Sequence, residues 1–134
     1  MSIISSIAVS GLNAASLRLQ VSAGNVANAG SSGPLPDSSA SRRFPNAYGA
    51  ERVDQTANAD GGTHATVSTA SPATVPAYDP SAPYANGQGM VAAPNVNLAN
   101  EIVQQLTAQL SFAANAQLVK ADHTVTASLL DVIA

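Results

Sequence analysis

Between Ile3 and Val26, apolar side chains recur in two stripes at helical spacing. Ile3, Ile7, Ala14, Leu17 and Val21 form one, with Ser10 in line; Ala8, Leu12, Ala15, Leu19 and Val26 form the other, with Ser22 in line. Steps of four and three residues mark one face of a helix, so each stripe predicts a helix surface. Ser5, Ser6, Asn13, Ser16 and Gln20 make a narrow polar strip. A helix apolar around so much of its circumference is expected to be covered on more than one side. Its many Ala, Ser and Gly residues let neighbouring backbones approach closely. Arg18 is its only charge and projects between the two apolar stripes.

The last segment carries a longer pattern. Ala99, Val103, Leu106, Leu110, Ala114, Leu118, Ala121, Val125, Leu129 and Val132 are all apolar. Their mean spacing is about 3.67 residues, the value of an 11-residue period, which favours a straight or slightly right-handed packing seam. An ordinary helix of period 3.6 fits equally well over this length, and both readings stay open. A second, weaker stripe of Ala108, Phe112, Val119, Leu130 and Ile133 lies elsewhere on the helix and again suggests more than one neighbour. Asn97 is a good N-cap, with Leu98 as the first helical residue. From there to Val132 the helix would be roughly 50 Å long, too long for a compact globule of this size unless it packs in a bundle or an assembly.

Proline and glycine divide the chain. All eight prolines lie between Pro34 and Pro94, residues 1–30 have no proline, and residues 95–134 have neither proline nor glycine. The expected organisation is an N-terminal helix in 1–30, a loop and β-rich middle in 31–94, and a C-terminal helix in 95–134. The fold class is mainly α with a small β-rich insertion. In the middle, Thr63–Ser71 is rich in Thr and Val and predicts a strand with Ala65, Val67 and Thr69 on one face. The prolines extend "PATVPAYDP". Asn86-Gly87 signals a tight turn, and "GMVAAP" is a short strand after it. Gly30–Ser41 reads as a flexible loop.

Composition narrows the function. The chain has 134 residues and is 46% hydrophobic, but much of that is alanine and only 4% is aromatic. Leu, Ile, Val and Phe build a core at roughly 1.5–3 kcal/mol per buried side chain, and alanine contributes far less. A well-packed monomer is therefore not expected. The net charge of −3 argues against a nucleic-acid partner. Cysteine is absent, which excludes disulfides and thiolate chemistry. No segment reads as a membrane span, and the apolar N-terminus lacks the preceding positive charge of a Sec signal peptide.

Candidate chemistry is sparse. His64 lies in the predicted strand and His123 on the long helix, where the adjacent Asp122 points about 100° away and cannot orient it. Both histidines read as solvated or interfacial. Arg42-Arg43 reads as an ordinary surface feature. No nucleophile elbow, carboxylate pair, zinc spacing or phosphate loop occurs. The expectation is a protein that is not an enzyme, with no cofactor, no metal and no small-molecule substrate.

Two stretches resemble a known family. "SGLNAASLRLQVSAGNVANAGS", Ser10 to Ser31, resembles the N-terminal signature of the flagellar rod and hook axial proteins, with Ser-Gly-Leu, Arg-Leu and Asn-Val-Ala-Asn-Ala in order. Tyr78 to Val119 resembles the proximal-rod members of the FlgC type through its Tyr-Asp-Pro, Gly-x-Val and Pro-Asn-Val-Asn elements and "SFAANAQLV". The resemblance implies a structural subunit of the bacterial flagellar basal body, which spans the periplasm. It implies export through the flagellar type III apparatus without a cleaved signal peptide. It also implies terminal helices paired as one coiled-coil-like domain and polymerised with copies of the chain and with other rod proteins. A different class stays open, a diverged paralogue that never polymerises and serves as an export-linked or regulatory binding protein. A small hydrolase with an unrecognised site is a distant third.

Under this reading the assembly interface is expected to include Leu12, Arg18, Leu19, Asn25, Asn28, Asn97, Leu106, Leu110, Phe112, Asn115, Leu118, Val125 and Leu129. Asn25 and Asn28 lie in the last turns of the first helix, where carbonyls lose their partners. Amides both donate and accept, so these two are expected to fasten the helix end to a neighbouring chain or to the outgoing loop. Gly30 is placed to end the helix in the left-handed region. If the helices run antiparallel with Ile3 near Val132, Arg18 faces the neighbourhood of Gln117. It would then reach Asp122, with Asn115 or helix-end carbonyls of a neighbouring chain as alternatives, or else snorkel to solvent.

Overall fold

The computed structural model describes residues 2–36, 40 and 43–133. Two long helices dominate it. Helix α1 spans Ile3–Asn28 and helix α2 spans Leu98–Ile133. Ser2 caps α1, its hydroxyl accepting the Ser5 N–H at 3.1 Å. Asn97 caps α2 as expected, with its Oδ1 accepting the Asn100 N–H at 3.1 Å. The exit of α1 differs from expectation. Ala29 closes the helix in the right-handed region, and the glycines with positive φ are Gly61, Gly62 and Gly89, so Gly30 does not supply a left-handed cap. At the exit the Ala29 N–H donates to the Val26 carbonyl at 3.3 Å and the Ser31 N–H to the Asn28 carbonyl at 3.0 Å, and the Asn28 Nδ2 donates to the Gly24 carbonyl at 2.9 Å.

Between the helices, among the described residues, lie four strands: β1 (Glu51–Ala57), β2 (Thr63–Thr69), β3 (Thr74–Tyr78) and β4 (Met90–Pro94). They form two separate antiparallel ribbons, β1 with β2 and β3 with β4. Strands β2, β3 and β4 match the segments read as extended. Strand β1, "ERVDQTA", carries no strand signal in sequence, because its charged and amide side chains show no alternation. Its register places Val53 opposite Val67 and Gln55 opposite Ala65. The Asn86 turn closes the second ribbon, its Oδ1 accepting the N–H groups of Gln88 and Met90 at 2.9 Å each.

The loop after α1 is anchored. Gly33 exchanges both backbone hydrogen bonds with Ala92 of β4, at 3.0 and 2.9 Å. A Cβ at Gly33 would collide with the backbone of Pro45–Ala47, so only glycine fits this crossing. Asp37, Ser38, Ser39 and Ser41 of that loop, and Arg42 of the basic pair, lie outside the described residues. Ala50 ties the ribbons together, its N–H donating to Ala73 and its carbonyl accepting from Ala70.

The buried apolar side chains are small: Ala8, Ala14, Ala15, Val21, Ala50, Val91, Ala92 and Ala108. The alanine-rich composition thus gives a thin core. α1 is covered on two sides, as its two stripes require. α2 packs along one, and the β1–β2 ribbon packs along the other. Gly61 and Gly62 at the tip of that ribbon lie against Ile7 and Ser10, and the Thr63 N–H donates to Ser10 Oγ at 3.0 Å. Among the described residues, no helix is long and apolar enough to cross a membrane.

Candidate assembly surface

α1 and α2 run antiparallel. Ser5 sits beside Asp122 at one end and Ser22 beside Glu101 at the other. This register differs from the one set by placing Ile3 near Val132. α2 slides by more than two turns, and its last turns run past the start of α1. Asp122 therefore meets the N-terminus of α1, where the Ser2 and Ser5 hydroxyls both donate to its Oδ2 at 2.6 Å. These two hydrogen bonds, helped by His123, hold the Asp122 carboxyl below the usual carboxylate range. Arg18 does not reach Asp122. Its guanidinium donates to Gln55 Oε1 on β1, across the other face of α1.

The α2 face turned to α1 is mostly polar. Glu101, Gln105, Ala108, Ser111, Asn115, Val119 and Asp122 are its covered positions. Of the weaker stripe, Ala108 is buried and Val119 half-buried in this seam, and Phe112 stands at its edge. Leu130 and Ile133 lie outside the described side chains. On α1 the matching positions are small, with Ser5, Ala8, Ala15 and Ser22 buried. Gly11 makes room for Asn115, because a Cβ there would stand 2.7 Å from the Asn115 amide.

Asn25 is the hub of the α1 exit. It is buried, and its amide makes four hydrogen bonds, all within the chain. Its Nδ2 donates to the Glu51 carbonyl at 2.8 Å and to Glu101 Oε1 at 2.9 Å. Its Oδ1 accepts the Glu51 N–H at 3.0 Å and the Tyr48 hydroxyl at 3.1 Å. One side chain thus joins the end of α1, the entry to β1 and the first turn of α2. Burial, and then the carboxylates of Glu51 and Glu101, push the Tyr48 phenol above its ordinary range, which keeps it a donor.

The long stripe of α2 faces away from all of this. Ala99, Val103, Leu106, Leu110, Ala114, Leu118, Ala121, Val125 and Leu129 are exposed, Leu110 to 73%. Val132 lies outside the described side chains. Ile102 adds a further exposed aliphatic. The stripe read as a packing seam is therefore not the seam between the two helices of one chain. The physical reason is steric, since a close antiparallel pair needs small residues at the contact, and the bulky positions turn outward.

The expected interface residues thus divide. Leu106, Leu110, Leu118, Val125 and Leu129 form one open apolar face, with Phe112 and Leu19 exposed along the α1–α2 groove. Asn25, Asn28, Asn97 and Arg18 are engaged inside the chain, and Leu12 and Asn115 are half-buried in it. Sequence reasoning missed Glu101, Tyr48, Ser5 and the Gly11–Asn115 contact. Only the small residues at seven-residue steps, Ala8, Ala15 and Ser22, signalled this seam.

The sequence is similar to known proteins. Residues 88–132 match the family described as flagellar basal body rod FlgEFG protein, C-terminal. The chain is 33% identical over 133 residues to the flagellar basal-body rod protein FlgC of Agrobacterium fabrum strain C58, covering 99% of this chain and 95% of that relative. The chain belongs to the flagellar basal-body rod protein family. Its relative is a structural rod protein, and the family matched is not a catalytic one. In this rod protein, the segment matching the family includes β4 and nearly all of α2. The open apolar stripe therefore lies on the part of the chain that the family shares.

Proposed function

We propose that this chain is a structural subunit of the flagellar basal-body rod that polymerises through its terminal helices. The observation that carries this reading is the exposed stripe of α2, running from Val103 to Leu129 with no charged side chain in it. Aliphatic side chains there are each worth roughly 1.5–3 kcal/mol once buried, and a lone chain leaves them in water. An exposed apolar surface of this length marks a binding face. Helix neighbours in a rod would cover it through head-to-tail contacts, which build open helical assemblies.

On this reading, residues 1–30 and 95–134 act as one axial domain and 31–94 as its outer part. The partners are copies of the chain and other rod and basal-body proteins, with the type III export apparatus as a transient one. The chain works in the basal body across the periplasm after export without a cleaved signal peptide, and it performs no catalysis. The test is the paired variant Leu106→Glu with Leu110→Glu, followed by fractionation of hook–basal bodies and a motility assay. Loss of the chain from the basal body, with a normally folded monomer, is the expected result. Normal incorporation would overturn the reading. Absence of the parent chain itself from basal bodies would favour the non-polymerising paralogue.

A further inference from the structure

We infer that the antiparallel register of α1 on α2 is set by polar pins at the two ends of the seam and a glycine notch between them. Apolar matching does not set it. On α1 the seam repeats small residues at seven-residue steps, Ala8, Ala15 and Ser22. A slip by one heptad exchanges one small residue for another, so burial barely distinguishes the registers. On α2 the facing positions at the same step are Glu101, Ala108, Asn115 and Asp122, and these are not interchangeable.

Glu101 and Asp122 have their partners across the seam in only one register, and Asn115 has room in only one. Glu101 accepts from Asn25 through its carboxylate and from Ser22 through its carbonyl. Asp122 accepts from both Ser2 and Ser5. Asn115 occupies the space that Gly11 leaves open. A heptad slip carries Asn115 against Ile4 or Arg18, which both have a Cβ. It takes Asp122 away from both serines and moves Glu101 off Asn25. The buried polar members are Ser5, Ser22 and Asn25 on α1, whose partners are Asp122 and Glu101; a buried polar group that loses its partner is penalised far more than a displaced alanine, and single polar residues in helix seams are known to specify register in this way. Ser2, Ser5, Asn25, Glu101 and Asp122 are therefore positioning residues, because they aim the outward stripe of α2 without forming part of it. That last consequence rests on the proposed function; the register itself does not.

The chain has no cysteine, so an engineered pair is the only thiol pair present. Ala15→Cys with Ala108→Cys reports the observed register, where both residues line one notch of the seam. Ala8→Cys with Ala108→Cys reports a slip of one heptad. In the monomer with all pins intact, the first pair should oxidise at least about tenfold faster than the second, and removing both pins by Asn25→Leu with Asp122→Ala should narrow the ratio to about threefold or less. Asp122→Asn keeps an acceptor for the serine hydroxyls and should keep the parent ratio. A ratio unchanged by loss of both pins would overturn the inference, as would an equal fall with Asp122→Asn. If the double variant loses helical circular dichroism, the single variants Asn25→Leu and Asp122→Ala decide it. Each should narrow the ratio by about threefold while staying helical, and no change in either overturns the inference. The assay reads the monomer, so its failure is distinct from failure of the chain to assemble.

Discussion

α1 and α2 are similar in composition but differ in how fully they are covered. α1 packs against α2 on one side and the β1–β2 ribbon on the other, and its most exposed aliphatics, Ile3, Ile4 and Ile7, gather at its start, with Leu19 and Val26 less exposed further along. α2 turns a face of Glu101, Ala108, Asn115 and Asp122 toward α1 and leaves its leucines in water. The seam within the chain is thus the poorer of its two apolar surfaces. The lesson concerns what each surface has to do. A close helix pair selects small side chains, whereas a face that no described element of the chain covers can carry bulk.

That contrast predicts opposite outcomes for charge placed on the two faces of α2. Leu106→Glu with Leu110→Glu should abolish incorporation into the basal body while changing monomer stability by no more than about 0.5 kcal/mol per site, as for other surface substitutions. Ala108→Glu should instead cost the monomer several kcal/mol, because it buries an unpaired charge between the helices. Urea unfolding of each purified variant, read beside basal-body fractionation, separates the two. Equal behaviour of the two variants would erase the distinction.

Next in size is the hub. Asn25→Ala leaves the Tyr48 hydroxyl, the Glu51 N–H and the Glu51 carbonyl without their partner, at about 3 kcal/mol in total. The loss should appear as a lower urea midpoint with an unchanged slope. Gly11→Ala is smaller and pits two effects against each other. Alanine gains up to about 1 kcal/mol of helix propensity. The new methyl also displaces Asn115 from its hydrogen bond to the Ser111 carbonyl. A net loss of about 1 kcal/mol is expected, since overpacking typically costs more than propensity returns. Gly24→Ala on the same helix, where only the Tyr48 hydroxyl lies within van der Waals reach, is the control and should be neutral or stabilising.

The smallest effect is that of pH. The Asp122 carboxyl is held below its ordinary value of 3.8 by the Ser2 and Ser5 hydroxyls. A depressed carboxyl stabilises the fold above its ordinary value, and that contribution is lost as pH falls below it. Hydrogen exchange in the first turns of α1, corrected for intrinsic rates, should therefore show protection declining only below the ordinary carboxylate range. Asp122→Asn should flatten that dependence. Protection that declines identically in the variant would dissociate Asp122 from the N-terminal anchor.

Much of the architecture was legible along the chain. The absence of proline at both ends, the capping Asn97 and the four-three spacing of aliphatics locate both helices to within a few residues. Thr and Val in β2, the prolines around β3 and the Asn86 turn locate the second ribbon and half of the first. β1 was not legible, because a strand of Glu, Arg, Asp and Gln owes its conformation to pairing with β2 and to Asn25, which holds Glu51 from across the molecule. Asn25 and Asn28 were legible as helix-end amides, but their partners within the chain were not. Asn25 joins parts of its own chain, and Asn28 closes a carbonyl of its own helix.

The sequence by itself determined where helices form, that they are apolar on more than one side, and that alanine makes a thin core, since these follow from local periodicity and side-chain size. The tertiary structure alone decided which stripe meets which. The partner of Asp122 is Ser2 and Ser5, the partner of Arg18 is Gln55, and the richest stripe of α2 faces outward. The reason is that periodicity fixes a residue's angle about its own helix but carries no information on the sliding of one helix along another. That sliding is settled by contacts more than a hundred residues apart in sequence, such as Ser5 with Asp122 and Gly11 with Asn115.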